Sequence, residues 1–312
     1  MNARVYSIKD PIARAEAGRV ILSGGLVAFA TETVYGLGGD ATNETAVAKI
    51  FAYKARPLYN PLISHVHDVR SAFAIGQATS AALAMADVFW PGPLTLVMKL
   101  MDGFPLACLT SANMSTVAIR IPGDPTTRAL LSEIGRPVAA PSANRSGRLS
   151  PTTADHVVAE DFDGLKIILD GGCCAIGVES TVLDVSGAIP RLLRPGAITQ
   201  EQIEAVVGPI ELTNNNVGLL SPGMLASHYA PIASLRLNAT ELWDGEVGLD
   251  FAGQLGLAVD LSALGDLLEA ASNLFAYLHA LDSPGIKTIA VAPIPRTGVG
   301  IAINDRLQRA AA

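Results

Sequence analysis

The chain has 312 residues, half of them hydrophobic and 16% charged, with a formal net charge of −7. That length favours two domains over one, and the acidic balance excludes a nucleic-acid binder held by bulk charge, so any phosphate chemistry must rest on a local basic cluster. No apolar run approaches the ~20 residues that cross a bilayer, and the first eleven residues lack an apolar signal-peptide core, so a cytoplasmic protein without membrane contact is expected.

In chain order, the pattern predicts a short apolar strand at 25–30 and a helix at 44–53 with Asn43 as N-cap. A helix at 80–90 is stopped by Pro91-Gly92-Pro93, and strands follow at 94–100 and 116–121. Asp124-Pro125 supplies an N-cap and an N1 proline for the next helix. Strands are predicted at 137–140, 166–170, 181–185 and 191–193, and Thr199 with Gln202 forms a capping box for a helix ending before Gly208-Pro209. The unequal strands and irregular connections argue against a regular βαβ repeat.

Composition changes near residue 210, where Thr213-Asn214-Asn215-Asn216 breaks the pattern and Ser221-Pro222-Gly223 signals a turn. This gives a first domain at 1–210, a connector at 211–232 and a small α/β domain at 233–312, with strands at 234–237, 247–251 and 288–292, a helix at 264–281 and a last helix after Gly300. The first 210 residues carry 17 basic against 19 acidic side chains and the remainder 5 against 10, so a basic cluster belongs to the first domain. Cys108, Cys173 and Cys174 form neither a disulfide framework nor a zinc motif and are expected as buried free thiols.

The common phosphate-loop, dinucleotide and zinc-protease motifs are absent. Four other segments carry potential chemistry. Thr31-Glu32-Thr33-Val34-Tyr35-Gly36 follows an apolar strand and offers hydroxyls beside a glycine that lets backbone approach a ligand, or is a plain strand and turn. Lys54-Ala55-Arg56-Pro57, with Asn60, puts two cations at a helix end, where they serve either the macrodipole or a triphosphate. Ser142-Ala143-Asn144, running on to Ser150, suits a phosphate- or ribose-facing loop or an ordinary polar one. Gly177-Val178-Glu179-Ser180-Thr181 precedes Arg194 in a Pro-Gly turn, and Arg120 interrupts an apolar strand and so needs an anionic partner.

Taken together and in this order, these segments resemble the YrdC-like threonylcarbamoyl-AMP synthases in their long form. The signatures K-x-R and S-x-N stand at Lys54/Arg56 and Ser142/Asn144, T-E-T-V-Y-G-L-G at Thr31 to Gly38, W-P-G-P-L-T at Trp90 to Thr95, and G-V-E-S-T at Gly177 to Thr181. The S-P-G-M…H-Y-A-P connector runs from Ser221 to Pro231, and the tail resembles Gly298 to Leu307, with Asp305 where the family commonly has Asn.

The resemblance implies an α/β fold, an open twisted mixed sheet with a smaller Rossmann-like domain. The implied reaction makes threonylcarbamoyl-AMP and pyrophosphate from L-threonine, bicarbonate or CO2, and ATP with Mg2+ or a similar divalent ion. Downstream proteins use the product to modify tRNA. ATP contacts would be Arg56, Asn60, Thr116, Ser142, Ser150, Arg194 and Tyr229, with Lys54 by the phosphates and Asn144 completing the catalytic set. L-Threonine contacts would be Thr33, His65, Arg120 (answering to the substrate carboxylate), the Ala140 backbone and Ser180. No protein metal ligands are implied. The connector, with His228 and Tyr229, is expected to fold across the site and shield a hydrolysable carbamate. The competing reading is an RNA-binding module without adenylate chemistry, which the −7 charge disfavours.

Overall fold

The computed structural model describes residues 3–213 and 228–312. The elements of the first domain are β1 (Arg4–Ser7), α1 (Pro11–Leu22), β2 (Val27–Phe29), β3 (Gly36–Asp40), α2 (Glu44–Lys54), β4 (Ile63–His65), α3 (Val69–Ile75), α4 (Ser80–Phe89), β5 (Leu94–Lys99), β6 (Thr116–Arg120), α5 (Pro125–Ile134), β7 (Val138–Ala139), α6 (Ala154–Ala159), β8 (Ile167–Asp170), β9 (Thr181–Asp184), β10 (Arg191–Arg194), α7 (Gln200–Val207) and β11 (Glu211–Leu212). The small domain follows with β12 (Ser234–Leu237), β13 (Val247–Leu249), α8 (Leu267–Leu281), β14 (Thr288–Val291) and α9 (Gly300–Ala310).

The helix starts follow the predicted caps. Asn43 Oδ1 accepts the Ala46 N–H at 3.1 Å, Asp124 accepts that of Thr127 at 2.7 Å, and Thr199 and Gln202 form the reciprocal box. Where the sequence offered a turn after Tyr35, the glycine run at 36–39 instead forms part of β3, antiparallel to β2. A Cβ on Gly38 would run into the Phe29 ring and Val138, so glycine lets these layers close. The unpredicted α1 has its own signal in Asp10-Pro11, a cap followed by an N1 proline. Cys174 is buried as expected, but Cys108 and Cys173 are exposed.

The eleven strands of the first domain form one mixed sheet in the order β1-β8-β2-β3-β7-β4-β6-β5-β9-β10-β11. Period-2 alternation separates its faces. Val117 and Ile119 of β6 join Leu94, Leu96 and Met98 of β5 under α3, α4 and α7. Ala118, on the opposite face, meets Ile63, Val97, Val182 and Leu193 in a small apolar floor. His65 and Arg120 extend that floor, being two residues beyond Ile63 and Ala118 and direct partners in the parallel β4–β6 register. A bulge in β10 inserts Leu193 between the pairs Leu192–Leu183 and Arg194–Val182, which turns Arg194 to the same face as Val182.

The small domain has a parallel sheet, β12-β14-β13. In Rossmann-like units the loops after such strands take anions on backbone N–H groups. Here the buried Asp250 takes them: its carboxylate accepts from Phe251, Leu255 and Leu257 at 2.7–3.1 Å, while Asp260 accepts from Ala252, Gly253 and Ser262. Val34, Leu149 and Val178 of the large domain share one apolar cluster with Tyr229, Leu274 and Phe275. Gly177, at φ 73°, lies so close to α8 that a Cβ would stand 2.5 Å from the Ala271 carbonyl oxygen. His156 stacks on His279 of α8 with ring centroids 3.9 Å apart.

Candidate active site

A pocket on the concave floor is lined by Thr31, Thr33, Arg56, His65, Arg120, Ala140, Ser142, Glu179, Ser180, Arg194, His228 and Tyr229, among others. Its first wall is the turn between β2 and β3. Thr31 Oγ1 donates to the Val34 carbonyl at 2.7 Å and accepts the Thr33 and Val34 N–H groups, which fixes Thr33 over the floor. Arg120 spans the base of this turn. Its Nη1 donates to Thr33 Oγ1 at 2.8 Å, its Nη2 to Glu32 at 2.7 Å and its Nε to the Gly92 carbonyl at 3.2 Å. Burial raises the Glu32 carboxyl, but the Arg120 charge and a Gly123 hydrogen bond outweigh it and hold the pKa below the usual range. Arg120 thus has an anionic partner within the chain, Glu32, besides the substrate carboxylate expected from the sequence.

The second wall joins the end of α2 to the loop after β7. Lys54 is buried, and its Nζ donates to the carbonyls of Ser142 (2.6 Å) and Asn144 rather than to its own helix. Burial, with Arg56 nearby, brings its ammonium down to about 7. Arg56 donates from Nε to the Asn60 carbonyl at 3.0 Å and from Nη2 to Asn60 Oδ1 and the Pro61 carbonyl at 2.7 and 2.8 Å. Burial lowers Arg56 to about 9. Asn144 donates to the carbonyls of Arg145 and Arg148, so its amide shapes the loop that presents Ser142.

The third wall is the segment between Gly177 and Thr181. Ser180 Oγ shares a 2.7 Å hydrogen bond with Thr95, and Arg194 holds the Ser180 carbonyl and hydroxyl at 3.0 and 3.1 Å. Glu179 accepts from Ser150 Oγ and, at 2.7 Å, from Nε of Arg306 on α9. Burial opposes ionisation of Glu179, yet Arg306 and Arg194 draw its pKa down to about 2. His228 and Tyr229 close the pocket: the His228 N–H donates to the Arg309 carbonyl at 3.0 Å, and Tyr229, at φ 65°, packs beneath the Arg306 guanidinium.

The arrangement is one pocket lined by the guanidiniums of Arg56, Arg120 and Arg194 together with the Thr33, Ser142 and Ser180 side chains and the His65 imidazole. Residues 19–196 match the model of the Sua5, YciO and YrdC family, described as telomere recombination, and residues 198–312 match that of the threonylcarbamoyl-AMP synthase C-terminal domain. The chain belongs to this family, in its two-domain form. Threonylcarbamoyl-AMP synthase of Bacillus subtilis is 41% identical over 327 residues, spanning 95% of this chain and 92% of that one. The Pyrococcus abyssi enzyme of the same name is 40% identical over 318 residues, spanning 94% and 92%. The crystal structure of P. abyssi Sua5 complexed with L-threonine superposes with a TM-score of 0.89 at 36% identity, over 99% of this chain and 98% of that one.

Most residues singled out from the family signatures meet at this pocket. Thr33, Arg56, His65, Arg120, Ala140, Ser142, Ser180, Arg194 and Tyr229 line it. Lys54, Asn60, Asn144 and Ser150 lie behind the lining, each bonded to it or to the loops that carry it. Thr116 shares the face of Arg120 but stands four residues back along β6, ~13 Å away at ~3.3 Å per residue, outside the described lining. Residues 221–227 of the connector motif lie outside the described residues. Sequence reasoning assigned no role to Glu32, Glu179 or Arg306. Their signal was present as charges embedded in otherwise uncharged or apolar motifs, but only the fold brings Arg306 to Glu179.

Proposed function

We propose that this chain condenses L-threonine, bicarbonate or CO2, and ATP into threonylcarbamoyl-AMP and pyrophosphate, and that the pocket is its active site. The observation that carries this is one pocket that gathers three guanidiniums with the Thr33, Ser142 and Ser180 hydroxyls, in a chain of this family. L-Threonine takes Thr33, His65, Arg120, Ala140 and Ser180. Arg120 keeps one edge on Glu32 while its Thr33-facing nitrogen turns to the substrate carboxylate. ATP takes Arg56, Asn60, Thr116, Ser142, Ser150, Arg194 and Tyr229. Lys54, Arg56, Ser142 and Asn144 form the catalytic set, with Lys54 and Asn144 acting through the loop they hold.

In the reaction, the neutral threonine amine bonds to the carbon of CO2 and its displaced proton passes to solvent; where bicarbonate is the source, the hydroxide it loses takes that proton and leaves as water. A carbamate oxygen then attacks the α-phosphorus, and the bond to pyrophosphate breaks. The protein's part is positioning and charge stabilisation: Arg56 and Arg194 offset charge on the leaving pyrophosphate, and the buried floor excludes water. No group of three or more His, Cys, Asp or Glu suited to a metal occurs among the described residues, so a divalent ion would arrive on the triphosphate and neutralise its charge there.

Among the described residues no helix is long and apolar enough to cross a membrane. We place the reaction in the cytoplasm, with tRNA modification by downstream proteins consuming the product. We divide the chain into a catalytic domain at 1–210, a connector at 211–232 whose first two residues, as β11, add the last strand to the large sheet, and the small domain at 233–312. The test is pyrophosphate release with ATP, bicarbonate and each amino acid in turn. Threonine-dependent release that also requires bicarbonate is expected, and release indifferent to threonine would overturn the proposal.

A further inference from the structure

Glu179 is the only carboxylate among the described lining residues of a pocket otherwise furnished with Arg56, Arg120 and Arg194. An anion in that position competes with any triphosphate for the same guanidiniums. Both of its oxygens are already engaged, Oε1 by Ser150 and Oε2 by Arg306 at 2.7 Å, with Arg306 Nη2 also 3.5 Å from the Glu179 carbonyl oxygen. Arg306 comes from the last helix of the small domain and is 1% exposed. Asp305 holds its Nη1 at 2.7 Å and takes Arg309 at 2.9 Å on its other oxygen. Glu179, Arg306, Asp305 and Arg309 are thus linked in alternating charge at the domain junction.

We infer that Arg306 is a positioning residue for nucleotide binding: by holding one oxygen of Glu179 it limits how far that carboxylate pairs with Arg194, so that the small domain sets the anion affinity of a pocket in the large one. Without Arg306, the cation left acting most strongly on Glu179 is Arg194, which the proposed function assigns to ATP. An internal carboxylate would then screen it, and ATP would bind more weakly, while the threonine contacts, floored by Arg120 on Glu32, would be little changed. The inference rests on the reading of the pocket as an ATP site.

Calorimetric titration with ATP and, separately, with L-threonine tests it on the full chain. Arg306→Gln should weaken ATP at least ~10-fold, a change of about 1.4 kcal/mol, and move threonine far less. Adding Glu179→Gln to that variant should restore most of the ATP affinity, because the competitor is gone. A double-mutant cycle isolates that non-additivity; a merely structural pair would also show it in stability, but would not confine it to ATP and spare L-threonine. Should Arg306→Gln fail to fold, Glu179→Gln alone decides: Arg306 keeps Asp305 as partner, and ATP should bind as well as before or more tightly. Weaker ATP binding in Glu179→Gln would overturn the inference by making Glu179 itself a ligand-binding group. Equal loss of both ligands in Arg306→Gln, or no recovery in the double variant, would overturn it too. An unaltered protein that binds no ATP would overturn both this inference and the proposed reaction. One that binds ATP equally well with and without the Arg306 side chain would overturn this inference alone.

Discussion

Two imidazoles sit uncharged in the pocket wall. Burial, then the nearby Arg120, lowers His65 from its ordinary 6.5 to about 3. Burial likewise lowers His228 to about 3, where Lys54, Arg56 and Arg194 together oppose the pull of Glu179. Burial lowers the stacked pair His156 and His279 in the same sense. Between 6.5 and 3 the unfolded chain therefore binds more protons than the folded one, so stability is lost as pH falls through that interval, at about 1.4 kcal/mol for each unit of separation. Thermal melts from pH 8 to 4 should decline from near 6.5, and His65→Gln should flatten part of that limb. A decline beginning only below 4.5 would point to Glu179 and the other carboxylates instead. Arg120→Gln should raise the KM for L-threonine roughly 10–100-fold, the scale of a charge-assisted hydrogen bond, with the KM for ATP nearly unchanged in steady-state assays. That a strand arginine needed an anion was legible in the sequence. That Glu32 would answer to it was not, because the two are 88 residues apart and meet only when β6 lies beside the β2–β3 turn.

At the scale of elements, the caps and breakers were readable and the glycine-rich strand was not. Asn43, Asp124 and Thr199 each announce a helix by chemistry local to one turn. β3 has almost no side chains with which to announce itself, and its identity depends on Phe29 lying across Gly38. The two-residue strands β7 and β11 are fixed by their neighbours rather than by propensity. Gly177 belongs with β3: its need for glycine comes from α8, a helix almost a hundred residues later. Gly177→Ala would combine a left-handed φ with overlap on the Ala271 and Ser272 backbone, and should cost roughly 1–3 kcal/mol of stability in denaturant titrations. An unchanged midpoint would mean that the domains seat without this contact.

The division into two domains was visible as a change of composition and charge near residue 210, whereas the surfaces that meet could not be read from it. Residues of one apolar cluster come from the β2–β3 turn, the loop before Ser150, the segment around Val178 and the small domain, a set no periodicity links. An isolated piece ending at residue 213 would therefore expose Val34, Leu149 and Val178 and leave Glu179 without Arg306. It should bind a hydrophobic dye and lose threonine-dependent pyrophosphate release. Full release by that piece would show that the small domain is dispensable for the chemistry. This tie between domains gives the self-filled loop of Asp250 a further meaning. A loop whose backbone N–H groups already answer to the chain's own carboxylate does not offer those groups to a phosphate. The small domain's ties to the large one lie elsewhere, in the packing of Phe275 in one cluster with Val178 and the pairing of Arg306 with Glu179.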